Sequence, residues 1–156
     1  MAKKMMTVMI TVCLCAVLLT GCGSEKSLSV SASQLADKLA QEVGFTDQMS
    51  KTEERIFYTL YDMEESAVSE AVVYMSTGAT AEEIAVITVS DAGNVSKAEE
   101  AVKARVESQK EAFENYVPEE LTKLSDPVIR TVGNTVILCV SNHNDKAEQI
   151  IDSVIK

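Results

Sequence analysis

The chain has 156 residues, which is enough for one folded domain with an additional segment but short for two domains. Its 14 Lys and Arg residues are outnumbered by 24 Asp and Glu residues, so the formal net charge is −10 and a nucleic-acid partner, which needs a basic face, is not expected. Aromatic residues make up only 4% of the chain, which disfavours a stacking platform for bases or sugars, and a single His disfavours a His-rich metal site.

Residues 1–21 have the pattern of a secretory signal peptide. Lys3-Lys4 supplies a positive start, and residues 5–19 carry no charge. Leu19-Thr20-Gly21-Cys22 resembles the lipobox of bacterial lipoproteins, which implies cleavage just before the cysteine and a diacylglycerol, with palmitate-type chains, on the Cys22 thiol. Two or three acyl chains anchor a protein stably, whereas one chain binds only marginally. We therefore expect a lipid-anchored protein on the extracytoplasmic face of the cell membrane.

The same stretch has one alternative interpretation, an uncleaved transmembrane helix. Residues 5–23 are just long enough to span a bilayer. The Gly-Cys-Gly end is a poor helix former, however, and no basic cluster follows it to stop transfer. Both interpretations place the rest of the chain outside the cytoplasm, because the two lysines stay inside.

Residues 22–33, the lipidated Cys and a serine-rich stretch, are predicted to be a flexible tether. Residues 34–156 are expected to form a single domain. A flexible segment of this length spans only about 20 Å, so the domain should stay close to the membrane. Because the domain is acidic, an anionic membrane surface would repel it, and the lipid must hold it there.

The first half of the domain predicts a helix and a hairpin. Ser33 is predicted to cap a first helix whose inward stripe is Leu35, Leu39 and Val43. Residues 56–61 fit either a short strand or a helical turn, and the pattern does not decide between them. Residues 70–75 and 84–89 are predicted to be two antiparallel strands joined by a turn.

The second half predicts a long helix, a second hairpin and a final helix. The long helix covers residues 96–116, because apolar residues recur there at i, i+3, i+4 and i+7. Residues 128–140 are predicted to be a hairpin around Gly133-Asn134, since a two-residue link between strand-like runs is typical of one. Asn144 or Asp145 is predicted to cap the last helix.

This order of elements predicts an α+β domain. Two hairpins with segregated helices indicate one antiparallel sheet, packed by the long central helix and by the terminal helices. The chain has no alternation of strand and helix of the kind that builds a parallel sheet.

Few side chains point to catalysis. The five Glu-Glu doublets are interpreted as scattered surface acids, since neighbours in a doublet do not face each other on a helix; they start at positions 53, 64, 82, 99 and 119. Residues 142–145 lack the spaced acids of a calcium loop, and His143 has no nucleophile partner nearby in the sequence. No phosphate loop, nucleophile elbow or HExxH pair occurs. We therefore expect no catalytic residue, no metal and no cofactor.

Arg105 and Gln109 stand out, because they lie one turn apart on the helix stripe that should face the sheet. Polar groups in such a place cost free energy unless they are paired. Two interpretations stay open, a buried polar network with a carboxylate or carbonyl and the wall of a pocket. Tyr116, two turns beyond Gln109, would extend either one.

Several segments together resemble a family of small lipoproteins from Gram-positive, clostridial-type bacteria, a domain of unknown function. They are the lipobox, residues 78–86, Arg105 with Gln109, Tyr116-Val117-Pro118 and residues 132–136. The resemblance covers most of the chain after the signal peptide. It implies an extracytoplasmic, membrane-anchored location and brings no activity to transfer.

Three functions remain open on this basis. The first is a non-enzymatic binding or interaction module that meets an envelope protein near the membrane. The second is a small-ligand receptor, which predicts a concave pocket near Arg105 and Gln109. The least favoured is an envelope-acting hydrolase, which needs a carboxylate pair, or His143 with a nucleophile, in one cleft.

Overall fold

A computed structural model describes residues 26–156, in which five strands form one antiparallel sheet with helices on both faces. The predicted α+β class and its two hairpins are confirmed. The predicted signal peptide and Cys22 lie outside the described residues. No helix within the described part is both long enough and apolar enough to cross a membrane.

The helices and strands alternate irregularly along the chain. The helices are α1 Ala32–Glu42, α2 Glu54–Tyr61, α3 Val95–Glu114, α4 Leu121–Ser125 and α5 Asn144–Asp152. The strands are β1 Ser50–Lys51, β2 Val68–Met75, β3 Glu83–Val89, β4 Val128–Val132 and β5 Thr135–Val140. Their order in the sheet is β1-β2-β3-β5-β4, so the two hairpins join through the β3–β5 pair.

The sheet separates two hydrophobic cores. Successive residues of a strand point to opposite faces. Accordingly, Ile84 and Val86 of β3 pack in the core under α1 and α5, whereas Ala85 and Ile87 pack in the core under α2, α3 and α4. Strands β3 and β5 are therefore buried on both faces, which explains their nearly uninterrupted apolar sequences.

Helix α1 begins two residues earlier than predicted. Its cap is Ser31, whose hydroxyl accepts from the Gln34 N–H at 3.2 Å while the Gln34 side chain accepts from the Ser31 N–H at 3.0 Å. The predicted cap, Ser33, is wrong, because its N–H donates to a carboxylate oxygen of Glu70 on β2 at 2.9 Å. That carboxylate also stabilises the positive end of the helix dipole.

Two other local predictions needed the tertiary structure. Residues 56–61, which the pattern left undecided, belong to helix α2 and bury Phe57 and Tyr61. The prediction that Asn144 or Asp145 caps the last helix is wrong, because helix α5 begins at Asn144 and the capping position is held by His143, which makes no side-chain capping bond. The Asn144 side chain instead donates to the carbonyl of Asp126.

The amino-terminal end of the domain pairs with its carboxyl-terminal end. Leu28 forms an antiparallel bridge with Ile155, and the Ser29 N–H donates to the Val154 carbonyl at 2.8 Å. The later part of the predicted tether, from residue 27 onwards, is therefore bonded to the domain rather than free. These residues lie at the end of the sheet that carries the Gly133-Asn134 turn, since a Cβ on Gly133 would lie 3.1 Å from the Lys26 carbonyl oxygen.

Candidate functional site

A buried polar network surrounds Glu83, the first residue of β3, whose exposed fraction is 0%. Arg105 holds the carboxylate with two nitrogens, Nε at 3.0 Å from Oε1 and Nη2 at 2.6 Å from Oε2. Gln109 Nε2 donates to Oε2 at 3.0 Å, and the Tyr61 hydroxyl donates to Oε1 at 2.6 Å. Arg105 and Gln109, which the sequence singled out, thus meet at one carboxylate that the sequence did not identify.

The secondary structure explains how these four side chains meet. Arg105 and Gln109 are four residues apart on α3, so both project from the face that packs on the sheet. Glu83 shares a face of β3 with Ala85, which belongs to the same core. Tyr61 is the last residue of α2 and brings its hydroxyl from the neighbouring helix. Three elements therefore converge on the start of β3.

The surroundings raise the pKa values of two members of the network, Arg105 and Tyr61. Burial lowers the pKa of the Arg105 guanidinium, but its hydrogen bonds and attraction to Glu83 outweigh burial and leave the pKa raised. Burial, and then the Glu83 charge, raises the pKa of the Tyr61 hydroxyl well above its usual value, so Tyr61 remains a donor. Since Gln109 Nε2 must face the carboxylate, Oε1 of Gln109 is left buried without a hydrogen-bond partner among the described residues.

A second ionic cluster lies beside the first and centres on Lys123 of α4. Its ammonium nitrogen lies 2.8 and 2.9 Å from the two Glu120 oxygens and 3.5 Å from Glu82 Oε1. Glu120 also accepts from the Ala81 N–H at 2.8 Å. Glu82 in turn accepts from the backbone N–H groups of Thr46 and Asp47, both at 2.9 Å. The cluster ties α4 and the loop after α1 to the segment that leads into β3.

The interpretation of every Glu-Glu doublet as surface acids is wrong at positions 82, 83 and 120. Glu82 is 2% exposed and Glu83 is fully buried, and Glu120 of another doublet is buried as well. Helix geometry does not apply to this doublet, because in an extended chain neighbouring side chains point to opposite sides, where each finds its own partners. The signal that marks this doublet is its position directly before an apolar strand.

Tyr116 does not join the network. It is 68% exposed, and its ring packs beside Phe113 with the ring centres 6.1 Å apart. Helix α3 ends at Glu114, so Tyr116 no longer follows the helical stripe on which the prediction placed it.

The clefts of the surface lie elsewhere. Among five clefts of the described residues, one of about 350 Å³ lies between α3 and the carboxyl-terminal end of α2 with the segment that follows it, and Tyr61 is part of its lining. Neither Arg105 nor Gln109 lines any of the five. Both residues therefore act in this structure as members of a buried network rather than as pocket walls.

The remaining chemical candidates are dispersed. Within residues 26–156, no group of three or more His, Cys, Asp and Glu side chains is arranged to hold a metal ion. His143 lies in a separate cleft of about 290 Å³ with Asn142, Asn144, Asp145 and Lys146. Burial raises the pKa of the Cys139 thiol to about 12, so this cysteine is a poor nucleophile.

Glu82 makes the stability of the domain depend on pH. Burial raises its pKa, but the Thr46 and Asp47 N–H groups and the Lys123 charge together lower the pKa below its usual 4.5. A carboxylate whose pKa is depressed on folding stabilises the folded state above its unfolded pKa and loses that contribution as the pH falls through the folded pKa.

We therefore expect Glu82→Gln to lower the free energy of unfolding by about 1–3 kcal/mol at pH 7. The difference from the wild type should shrink as the pH falls below the usual carboxyl pKa of 4.5 and through the lower pKa of the folded state. Urea unfolding across this range measures it, with Glu119→Gln, at an exposed acid, as the control. A difference that does not change with pH would contradict the assignment.

The comparisons with known proteins give one family. The family described as Domain of unknown function (DUF4358) matches residues 41–141. No curated protein and no solved structure gives a significant match. The matched region contains all five strands and every residue of the two ionic clusters, and it leaves out most of α1 and helix α5. The chain therefore belongs to the DUF4358 family.

Proposed function

We propose that this protein is a lipoprotein, anchored through Cys22 on the extracytoplasmic face of a Gram-positive cell membrane, and that its domain is a non-enzymatic interaction module. The observation that carries the anchoring is Leu19-Thr20-Gly21-Cys22 behind a positively charged start and an uncharged stretch. Its partner on this proposal is a protein of the cell envelope.

The short connection between Cys22 and the domain restricts which end of the domain can face the membrane. The first backbone bond to the domain is made by Ser27, whose N–H donates to the Lys156 carbonyl. Five residues reach at most about 18 Å when fully extended. The end of the sheet with the Gly133-Asn134 turn then lies towards the lipid, and the end where β3 begins points away from it.

The pairing of the buried charges favours binding over catalysis. Both oxygens of Glu83 are occupied by Arg105, Gln109 and Tyr61, which leaves this carboxylate no free position for a substrate. The Glu82 and Glu120 carboxylates are likewise engaged by backbone N–H groups and Lys123. A carboxylate pair that hydrolyses a glycosidic bond instead faces an open cleft.

A small-ligand receptor is the alternative, and the cleft between α2 and α3 is the observation that favours it. Its volume of about 350 Å³ falls at the lower end of the range for ligand sites. An envelope-acting hydrolase is the weaker alternative, because His143 and the buried carboxylates lie in different places.

The lipid anchor is tested by metabolic labelling with an alkyne analogue of palmitate. We expect the wild type to carry the label and Cys22→Ser to lose it completely, since no thiol is left at the lipobox. Cys139→Ser is the matched control and should keep the label, because that cysteine is buried in the fold. A labelled Cys22→Ser chain, or a mature amino terminus other than Cys22 by mass spectrometry, would contradict the anchor.

The interaction role is tested by cross-linking in native membranes. The full chain should yield one reproducible envelope protein. A control protein, in which residues 1–26 are fused to an unrelated acidic domain, should not be cross-linked to that envelope protein. Failure with cross-linkers placed on both the α2–α3 side and the membrane-distal end would count against an interaction module and favour the small-ligand alternative.

A further inference from the structure

We propose that the cleft between α2 and α3 is a pocket for a basic side chain, lysine or arginine, presented by a protein partner. The inference rests on the proposed interaction role and names the chemistry that the domain recognises. It is carried by the apolar wall of the cleft and by the unpaired charges around its mouth.

The wall of the cleft suits an aliphatic stem. Ala101 and Ala104 of α3 leave room where larger side chains would fill the space, and Met63 and Ala67 close the opposite side. A volume of about 350 Å³ accepts a single long side chain without rearrangement. Lysine and arginine bury three or four methylene groups along such a surface and keep their charged ends in water.

The mouth of the cleft carries an uncompensated negative charge. Asp62, Glu64 and Glu100 surround it together with a single cation, Lys97. None of these four side chains takes part in an ion pair in the described part of the chain. The carboxyl-terminal end of α2, which carries partial negative charge, points to the same place because the helix ends at Tyr61.

The base of the cleft adds no charge that would oppose a cation. Tyr61 separates the cleft from the Glu83–Arg105 pair, and that pair is neutral as a whole. An anionic lipid surface would be repelled by the acidic mouth, so the occupant is a protein side chain rather than a lipid headgroup. The carboxylates also do not form a group that could hold a metal ion.

The test follows the Met63 and Ala101 methyl groups by NMR in the full chain, purified from membranes in detergent and labelled with ¹³C at Met and Ala methyls. The probes are the N-acetyl methylamides of lysine, arginine and norleucine. Norleucine offers the same apolar stem without a charge. We expect the lysine or arginine probe to cause saturable changes in the chemical shifts of these methyl groups. It should bind about 5-fold more tightly than norleucine, because it gains two exposed ion pairs.

Variants separate charge from shape. Glu64→Gln/Glu100→Gln should bring the affinity for the basic probes down to that for norleucine. Glu107→Gln, an exposed acid two turns along α3, should leave it unchanged. Equal binding of all three probes, binding that the double variant leaves intact, or no shift at either methyl group would each overturn the inference. Because the envelope partner is sought separately by cross-linking, failure of the interaction role and failure of the pocket remain distinguishable.

Discussion

Replacement of Arg105 by methionine is expected to lower the free energy of unfolding by about 3–5 kcal/mol. The change removes two hydrogen bonds from Glu83 and leaves a carboxylate with an exposed fraction of 0% facing an apolar side chain. Tyr61 and Gln109 remain as donors, but neither supplies a positive charge. Urea unfolding followed by circular dichroism at pH 7 measures the loss.

Arg130→Met is the matched control for this prediction. Arg130 lies 3.0 Å from Asp152, but its side chain is 32% exposed, and an ion pair of that kind contributes less than about 1 kcal/mol. The double variant Glu83→Met/Arg105→Met should recover part of the loss, since an apolar pair replaces the buried charges. A cost for Arg105→Met no larger than that for Arg130→Met would show that the network does not stabilise the fold.

Replacement of Phe57 by alanine is the second change with a large expected effect, about 3–5 kcal/mol. Phe57 is 1% exposed and stacks on Tyr61 with the ring centres 5.1 Å apart. Its removal leaves a cavity between α2 and the sheet and frees the helix that positions the Tyr61 hydroxyl. The unfolding free energy measures the cavity, and the Tyr61 resonances in the NMR spectrum report the loss of position.

Tyr116→Ala provides an aromatic control of similar size. Its side chain is 68% exposed, so its removal should change the free energy of unfolding by no more than about 0.5 kcal/mol. Equal effects at Phe57 and Tyr116 would mean that Phe57 does not pack between α2 and the sheet.

The second hairpin could be predicted with its bounds, because strand propensity, apolar pattern and turn residues all favour one arrangement around Gly133-Asn134. Helix α2 could not. Its five apolar and aromatic residues suit a strand as well as a helix, and the packing of Phe57 and Tyr61 on the sheet decides between them. The cap of α1 could not be predicted either, because Ser31 and Ser33 both suit the role and only Glu70, far along the chain, distinguishes them.

Half of the Glu83 network could be found in the sequence. Arg105 and Gln109 interrupt an apolar stripe, and a polar group in that position must be paired. Their partner could not be found, because Glu83 lies 22 residues before Arg105 and 22 after Tyr61, and no local pattern links such distances. The α2–α3 cleft had no sequence signal either, since it depends on how two helices meet.

The pairing of residues 27–29 with residues 154–156 also determines how the domain resists a pulling force. In an antiparallel pair the hydrogen bonds run perpendicular to the two paired segments. A load that pulls the two ends of the domain apart therefore acts along these bonds. The bonds would then break one after another, Ser27 with Lys156 before Ser29 with Val154. The five-stranded sheet lies outside this path, so the ends should separate at low force while the sheet and the Glu83 network stay intact.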